Sequence, residues 1–292
     1  MDSKFPYLEE FSREINIEDY KLVKAFEIEK KFHEEICNEP IKENRLKLYE
    51  WVYSQVHSLY GKDQKYDFKK NIREKKKNAF LFKREFKNKS IIDIGCGDGA
   101  LLHAISLSYP FKSLLGIDIS TITPQIDVEN MHFIKSDIVN FKVENRFDVA
   151  ILDNVYEHIS KFDTADLLDS ITDSIHENGK VVFLVPNRLF GPWDVTRILD
   201  YTYSGITPSM GTHLNETTYT ELIIELEKRG FNIFKTPIPL RKIKYLSFFL
   251  RFPAKWMSKI ETSRIAMKLI KKIKFEGKPF FRFEVILIAS KK

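Results

Sequence analysis

The sequence predicts a doubly wound α/β fold with a helical N-terminal extension, and three observations lead there. From Ser90 onward, short apolar runs of strand length alternate with helix-length stretches. A glycine-rich turn, Asp93-Ile94-Gly95-Cys96-Gly97-Asp98-Gly99, separates the first such run from a helix that opens near Ala100. Residues 1–89 instead carry apolar residues at helical spacing and no strand-like run. Strands separated by helices imply βαβ units, hence a parallel sheet with right-handed crossovers.

In chain order, Glu18 to Cys37, Asn44 to Tyr60 and Phe68 to Phe86 read as helices, with Leu48, Trp51, Val52 and Val56 at three and four spacings. Residues 1–89 are therefore expected to cap a domain spanning 90–292. Ile91 to Ile94, Leu114 to Ile117, His132 to Lys135, Asp148 to Leu152 and Val181 to Val185 are the expected strands. Thr217 to Arg229 reads as a helix stopped by Gly230, and Phe231 to Lys235 and Phe283 to Ala289 as two closing strands.

Between those strands, residues 240–278 form a basic insertion. It holds twelve Lys or Arg against Glu261 and Glu276, whereas the whole chain carries only +6, so the remainder is net acidic. Leu246, Phe248, Phe249 and Phe252 come first, Pro253 breaks the run, and a helix is expected from Ala254 to Ile273. On it Trp256, Ile260, Met267 and Ile270 share a stripe, while Ile265 and Leu269 fall opposite. An acidic body with one basic, aromatic segment argues against general nucleic-acid coating. It points to a local partner, either the body itself, with 240–278 as a lid, or an anionic membrane surface.

Only Cys37 and Cys96 occur in the 292 residues, so no disulfide framework is expected. The N-terminus shows no signal pattern and no apolar run nears the ~18 residues of a membrane span. A cytoplasmic protein, peripheral to a membrane at most, is the expectation.

The glycine turn offers a close backbone approach and a helix N-terminus to a nucleotide. Gly95-x-Gly97-x-x-Ala100 also satisfies a dinucleotide fingerprint. The flanking Asp93 and Asp98 would repel a pyrophosphate but suit a ligand carrying an ammonium and a sulfonium. Asp118, ending the second strand, can accept from a ribose diol, and Asp137, after the third, from an adenine amino group. Asp93, Asp118 and Asp137 thus mark one edge of the sheet, where such folds bind ligands.

On these residues the segment from about Ser90 to Val185 resembles the core of class I S-adenosylmethionine-dependent methyltransferases. The resemblance implies a seven-stranded Rossmann-like sheet with its last strand antiparallel, and S-adenosylmethionine as cofactor. It implies that Asp93 and the loop of Gly95, Cys96, Gly97 and Gly99 hold the methionine moiety, that Asp118 with Ile119 meets the ribose, and that Asp137 with Ile138 meets the adenine. Asp153 and Asn154, at the fourth strand end, would face the transferable methyl.

His158 is then a candidate base, and His213 a second. The Glu157-His158 pair resembles ubiquinone-biosynthesis O-methyltransferases, some of which bind a metal there. Asn154 stands where those carry a further Glu, so no metal ligand set is expected. The absence of an Asn-Pro-Pro-Tyr signature favours oxygen as the acceptor atom. The long connection after the fifth strand supplies Asn187, Arg188 and Trp193 as pocket candidates. That passage also resembles bacterial glycan and natural-product methyltransferases.

The expected activity is O-methylation of a small-molecule, sugar or lipid-linked acceptor. Methyl transfer from a sulfonium is an in-line displacement that asks for alignment and water exclusion, with a base when the acceptor is a hydroxyl. The alternatives are a cofactor-binding regulatory protein without turnover and an RNA methyltransferase using the basic segment.

Overall fold

The computed structural model describes residues 4–59, 67–120, 127–240, 243–246, 250–275 and 277–292. Phe248 and Phe249, Arg241, Lys242 and Glu276 lie outside them. Five helices come first: α1 (Leu8–Ile15), α2 (Asp19–Ile36), α3 (Lys42–Leu59), α4 (Phe68–Leu81) and α5 (Lys83–Phe86). The single helix expected over Phe68 to Phe86 is broken at Phe82, whose φ/ψ of −102°/17° leaves the helical region.

The alternating half follows as β1 (Ser90–Ile94), α6 (Ala100–Ser106), β2 (Ser113–Asp118), β3 (Met131–Lys135), β4 (Phe147–Asp153), α7 (Thr164–Ser174) and β5 (Ile175–Val185). After a long connection come α8 (Tyr219–Glu227), β6 (Ile233–Thr236), β7 (Phe252–Pro253), α9 (Lys255–Thr262), α10 (Arg264–Lys272), the hairpin β8 (Lys274–Phe275) and β9 (Lys278–Pro279), and β10 (Val285–Ser290).

The main sheet has the order β3-β2-β1-β4-β5-β10-β6-β7. Strands β1 to β5 pair in parallel, and β10 inserts antiparallel between β5 and β6. The seven expected strands are present in this sense. An eighth is added by Phe252–Pro253, which pairs with Lys235 and Thr236 at the outer edge, where a proline is tolerated because its missing N–H faces away from the ladder.

The central strands carry near-continuous apolar runs because both faces are covered. Ile92, Ile94, Ala150, Leu152, Val181, Phe183, Val185 and Leu287 pack into one core with α7, α8 and α2 residues. Their neighbours Ile91, Val149, Ile151, Val182, Leu184 and Ile286 pack into the other, with α4 and α6. The period of two along each strand assigns the face.

Helix α3 is fastened to the sheet domain by residues four apart on one side, a spacing that puts them in line. Arg45 forms a buried ion pair with Asp163. Tyr49 Oη donates to the carbonyl of His158 (2.9 Å) and accepts from Ser160 N–H (2.9 Å). Tyr53 stacks on Tyr49 at a centroid distance of 6.5 Å.

The basic insertion is docked rather than loose. The expected helix Ala254 to Ile273 breaks at Ser263, whose side chain caps α10 by accepting from Ala266 N–H. The break alters the expected stripe: Met257, Ile260, Met267 and Ile270 face the core, while Trp256 is 56% exposed. Glu261 on α9 reaches the start of α8, accepting from the N–H groups of Tyr219 and Thr220 and from Asn187 Nδ2. Its burial raises its pKa, which these bonds partly offset. Among the described residues no helix is long and apolar enough to cross a membrane.

Candidate functional site

The glycine turn leaves β1 at Ile94 and is tied to β2, since Gly95 and Cys96 N–H both donate to the Ile117 carbonyl (2.8 and 3.1 Å). At Gly95, φ is +73° and a Cβ would lie 2.6 Å from Val155, so only glycine fits. Gly97, at φ +54°, has nothing within 4 Å of where its Cβ would sit, so this part of the loop faces open space. Its N–H donates to Asp118 Oδ2 (2.8 Å), and the other oxygen of Asp118 accepts from Ser120 N–H and Oγ (2.9 and 2.6 Å).

Asp93 is 2% exposed. Burial pushes its carboxyl up to about 8, the nearby Asp153 adds to this, and Lys75 works against it. Asp153 is held from α4, by Lys75 Nζ (2.7 Å) and Asn78 Nδ2 (3.0 Å). Asn71, one turn earlier, donates to Asp98 (2.9 Å). The α4 face that lines this site passes unnoticed in sequence, because Lys75, Asn78 and Asn71 look like ordinary solvated helix residues.

Asn154 takes a left-handed φ of 60°, its N–H donating to the Leu184 carbonyl (2.9 Å). That turns the chain from β4 into the short 3-10 segment Tyr156–His158. Asp137 is paired with Lys42 of α3 (2.6 Å) and also accepts from Val139 N–H (2.9 Å). Ile119 and Ile138 are half-buried beside their carboxylates.

Beyond Asn154, two distant segments meet. His158 and His213 stand with ring centroids 4.8 Å apart. His158 Nδ1–H donates to the Thr212 carbonyl (3.1 Å), and His213 Nδ1 pairs with Glu216 Oε1 (2.8 Å). Burial would lower the pKa of His213, but the Glu216 hydrogen bond and the charges of Asp194 and Glu157 push it up to about 9. Glu157 is pushed up to about 7 by burial, with His213 opposing.

The loop carrying His213 is clamped from both sides, Asp194 accepting from Gly211 N–H (2.8 Å) and Glu29 of α2 from Thr212 N–H (3.1 Å). Tyr53 faces the same region. Its pKa is raised by burial, with Glu29, Glu157 and Asp118 adding to this.

A groove of about 990 Å³ adjoins His213, lined among others by His33, Tyr156, Phe162 and Arg188. Arg188 faces it, ion-paired with Glu221. Asn187 does not: it is fully buried, donating to Glu261 and accepting from Leu189 N–H (3.0 Å). Trp193 is likewise turned away, its Nε1–H donating to the Asn187 carbonyl (2.8 Å) and its ring 4.8 Å from the Arg197 guanidinium.

Among solved structures, the chain is similar to the plantazolicin methyltransferase BpumL, at 16% identity over 92% of this chain and 98% of that one, with a TM-score of 0.47. It is also similar to a Burkholderia thailandensis 1,6-didemethyltoxoflavin N1-methyltransferase, at 16% identity over 58% and 71% of the chains, with a TM-score of 0.42. No curated protein matches the sequence. A family model described as a methyltransferase domain matches residues 64–236, from before α4 to the end of β6. That match takes in more than half of the chain, including the glycine turn and both histidines, and on it the protein belongs to the methyltransferase domain family.

Proposed function

We propose that the protein transfers a methyl group from S-adenosylmethionine to an oxygen of a small-molecule, sugar or lipid-linked acceptor. The observation that carries the reading is the glycine turn, open at Gly97 and bordered by the carboxylates of Asp93, Asp98 and Asp118. Asp93, buried beside the turn, suits the ammonium of the cofactor. Asp118, which already orders the turn through Gly97, keeps lone pairs for the ribose hydroxyls. Asp137 and Ile138 suit the adenine, and Asp153 and Asn154 stand where the sulfonium would point. The groove takes the acceptor, with Arg188 and His213 in its lining and His158 against His213. His213, pushed up to about 9, is protonated near neutral pH and poorly placed to take a proton, so His158 is the base of choice.

Asp118→Ala is expected to weaken S-adenosylmethionine binding by about 2 kcal/mol, roughly 30-fold, the loss for a charged acceptor. Calorimetry measures it. Unchanged affinity, or tight binding of NAD by the wild type, overturns the cofactor assignment. Mass spectrometry of an extract incubated with methyl-labelled cofactor identifies the acceptor.

A second reading concerns the insertion, and a specific observation favours it. Ile265, Leu269, Ile273, Phe275 and Phe280 are 76, 57, 51, 64 and 53% exposed, among Arg264, Lys268, Lys272 and Lys274. The inward stripe is satisfied by the core, so this outer apolar set is left for a partner, and the surrounding cations suit anionic lipid headgroups. At ~1 kcal/mol per cation near such a surface, four give measurable attachment at low salt. Sedimentation with phosphatidylserine vesicles is expected to carry the protein down, less so as salt rises. Protein that stays in the supernatant at low ionic strength sinks the idea and leaves α9 and α10 as a lid.

A further inference from the structure

We propose that Tyr203, Lys278 and Arg282, with Lys271 at the edge, form a binding site for a phosphate group where the long connection before α8 meets the β8–β9 hairpin. Tyr203 is 2% exposed, and its Oη has no hydrogen-bond partner among the described residues. The Arg282 guanidinium stacks on the same ring, 4.6 Å from its centroid. It is half-buried, no carboxylate of the described residues pairs with it, and its Nε is buried without a hydrogen-bond partner among them. Lys278 Nζ, 5.7 Å from that centroid, donates to Tyr201 Oη (2.7 Å) and to Glu14 (3.0 Å), which leaves the third of its hydrogens. A tetrahedral oxyanion that takes donors at ~2.8 Å bridges groups roughly 5 to 7 Å apart, the spacing that stacking on a phenol ring sets between a guanidinium and the hydroxyl.

These groups are costly as they stand. A buried hydroxyl without a partner and a half-buried guanidinium without a counter-ion both oppose folding, and packing alone would be served by phenylalanine. Around Tyr203 and Ser204 the cations also outnumber the acids. Arg197 covers the Tyr203 ring at 4.9 Å, and Lys271 of α10 donates through Nζ to the Ser204 carbonyl. Burial lowers the pKa of Lys271. Glu14 is shared between Lys278 and Arg197, and Asp200 accepts from the hydroxyls of Thr202, Ser204 and Thr207. Arg197, Lys271, Lys278 and Arg282 against Glu14 and Asp200 leave a surplus of about two positive charges, which matches the −1.5 to −2 of a phosphate monoester. A guanidinium, an ammonium and a phenol together offer the donors such a group takes.

The backbone is shaped to hold the phenol there. Tyr203 takes a left-handed φ of 57°, a conformation uncommon for a bulky residue. Asp200 fixes the bend by accepting from Thr202 N–H (2.9 Å), and Gly205 N–H donates to the Gly191 carbonyl (3.2 Å) on its far side. The ring is thereby set against Trp193 and Tyr201, at centroid distances of 5.7 and 5.4 Å. Solvent reaches the site at Lys278, whose side chain is 31% exposed. Phe280, between Lys278 and Arg282 in sequence, is exposed as well, so the phosphate can belong to a lipid headgroup or to a soluble ester. The site is remote in sequence from the glycine turn and holds whether or not the chain transfers methyl groups.

Calorimetry of the full-length protein with sodium phosphate, in low-salt buffer, is expected to show one site per chain. Tyr203→Phe and Arg282→Gln should each weaken it at least about tenfold, the loss of a hydrogen bond to a charged group, while Lys272→Gln, exposed on α10, leaves it nearly unchanged. Should Arg282→Gln fail to fold, Arg282→Lys keeps the charge and drops the Nε–H, and the same loss is expected. Without phosphate, Tyr203→Phe should melt no lower than the wild type, because it removes an unpaired buried hydroxyl; a clear drop shows the hydroxyl bonded inside the protein and overturns the site. A second arm sediments the protein with vesicles of phosphatidic acid in phosphatidylcholine. Loss of vesicle binding in Tyr203→Phe identifies a lipid headgroup as the source of the phosphate, and loss with free phosphate alone a soluble ester. Binding that Tyr203→Phe leaves intact in both arms, or that Lys272→Gln weakens as much, reflects general positive charge and overturns the site, as does no binding in either.

Discussion

His158→Ala is expected to lower methyl transfer by about 10²- to 10⁴-fold, the range for losing a positioned acid or base, with affinity for S-adenosylmethionine nearly unchanged. The separation of effects follows from position. His158 contacts Thr212 and His213 beyond the end of β4, whereas Asp118 is held at the glycine turn by Gly97. Single-turnover assays with labelled cofactor give the rate and calorimetry the affinity. A variant with full activity assigns the ring to holding the 212–213 loop, and the same assay on His213→Asn then tests the other imidazole.

Affinity for S-adenosylmethionine is expected to fall as the pH drops below about 8, because Asp93 must be ionised to hold an ammonium and its carboxyl is pushed up to about 8 in the free protein. One proton linked to binding gives about a tenfold loss per pH unit, so roughly 100-fold two units below. Above ~8 the ligand's own α-amino group begins to lose its proton, so affinity peaks near there. The same shift acts on stability with the opposite sense. A carboxyl whose pKa is raised on folding favours the fold below its ordinary range, and that contribution is lost as the pH rises toward the folded value. Asp93→Asn should therefore bind weakly with no slope below the peak, yet melt higher than the wild type at pH 8 in the absence of cofactor. A wild-type affinity that is flat from pH 6 to 8 would show that Asp93 is already ionised or does not meet the ligand.

The sheet was legible because its signals are local. The run from Ile91 to Ile94 is a strand of nearly the length its apolar residues mark, the run from Val181 to Val185 is the C-terminal half of a longer strand that starts at Ile175, and Gly95, Gly97 and Gly99 take a positive φ. The edge strand Phe252–Pro253 was not legible, since two residues carry no period and a proline argues against a strand. The break at Ser263 was missed for a related reason: a serine within a helical pattern is neutral until its side chain caps the next segment.

Sequence alone determined the doubly wound order, the nucleotide-type turn and the carboxylates at the strand ends, because each depends on residues within a few positions of one another. Tertiary structure alone decided which side chains share the reacting end of the site. Lys75 and Asn78 reach Asp153 across more than seventy residues, Glu29 reaches Thr212 across 183, and His213 joins His158 only because Asp194 and Glu29 clamp its loop. Asn187 and Trp193, plausible pocket residues by position, were turned inward because a buried amide and an indole N–H must find partners, and Glu261 with the Asn187 carbonyl supplied them. Such partners come from helices and loops remote in the chain, so no spacing encodes them.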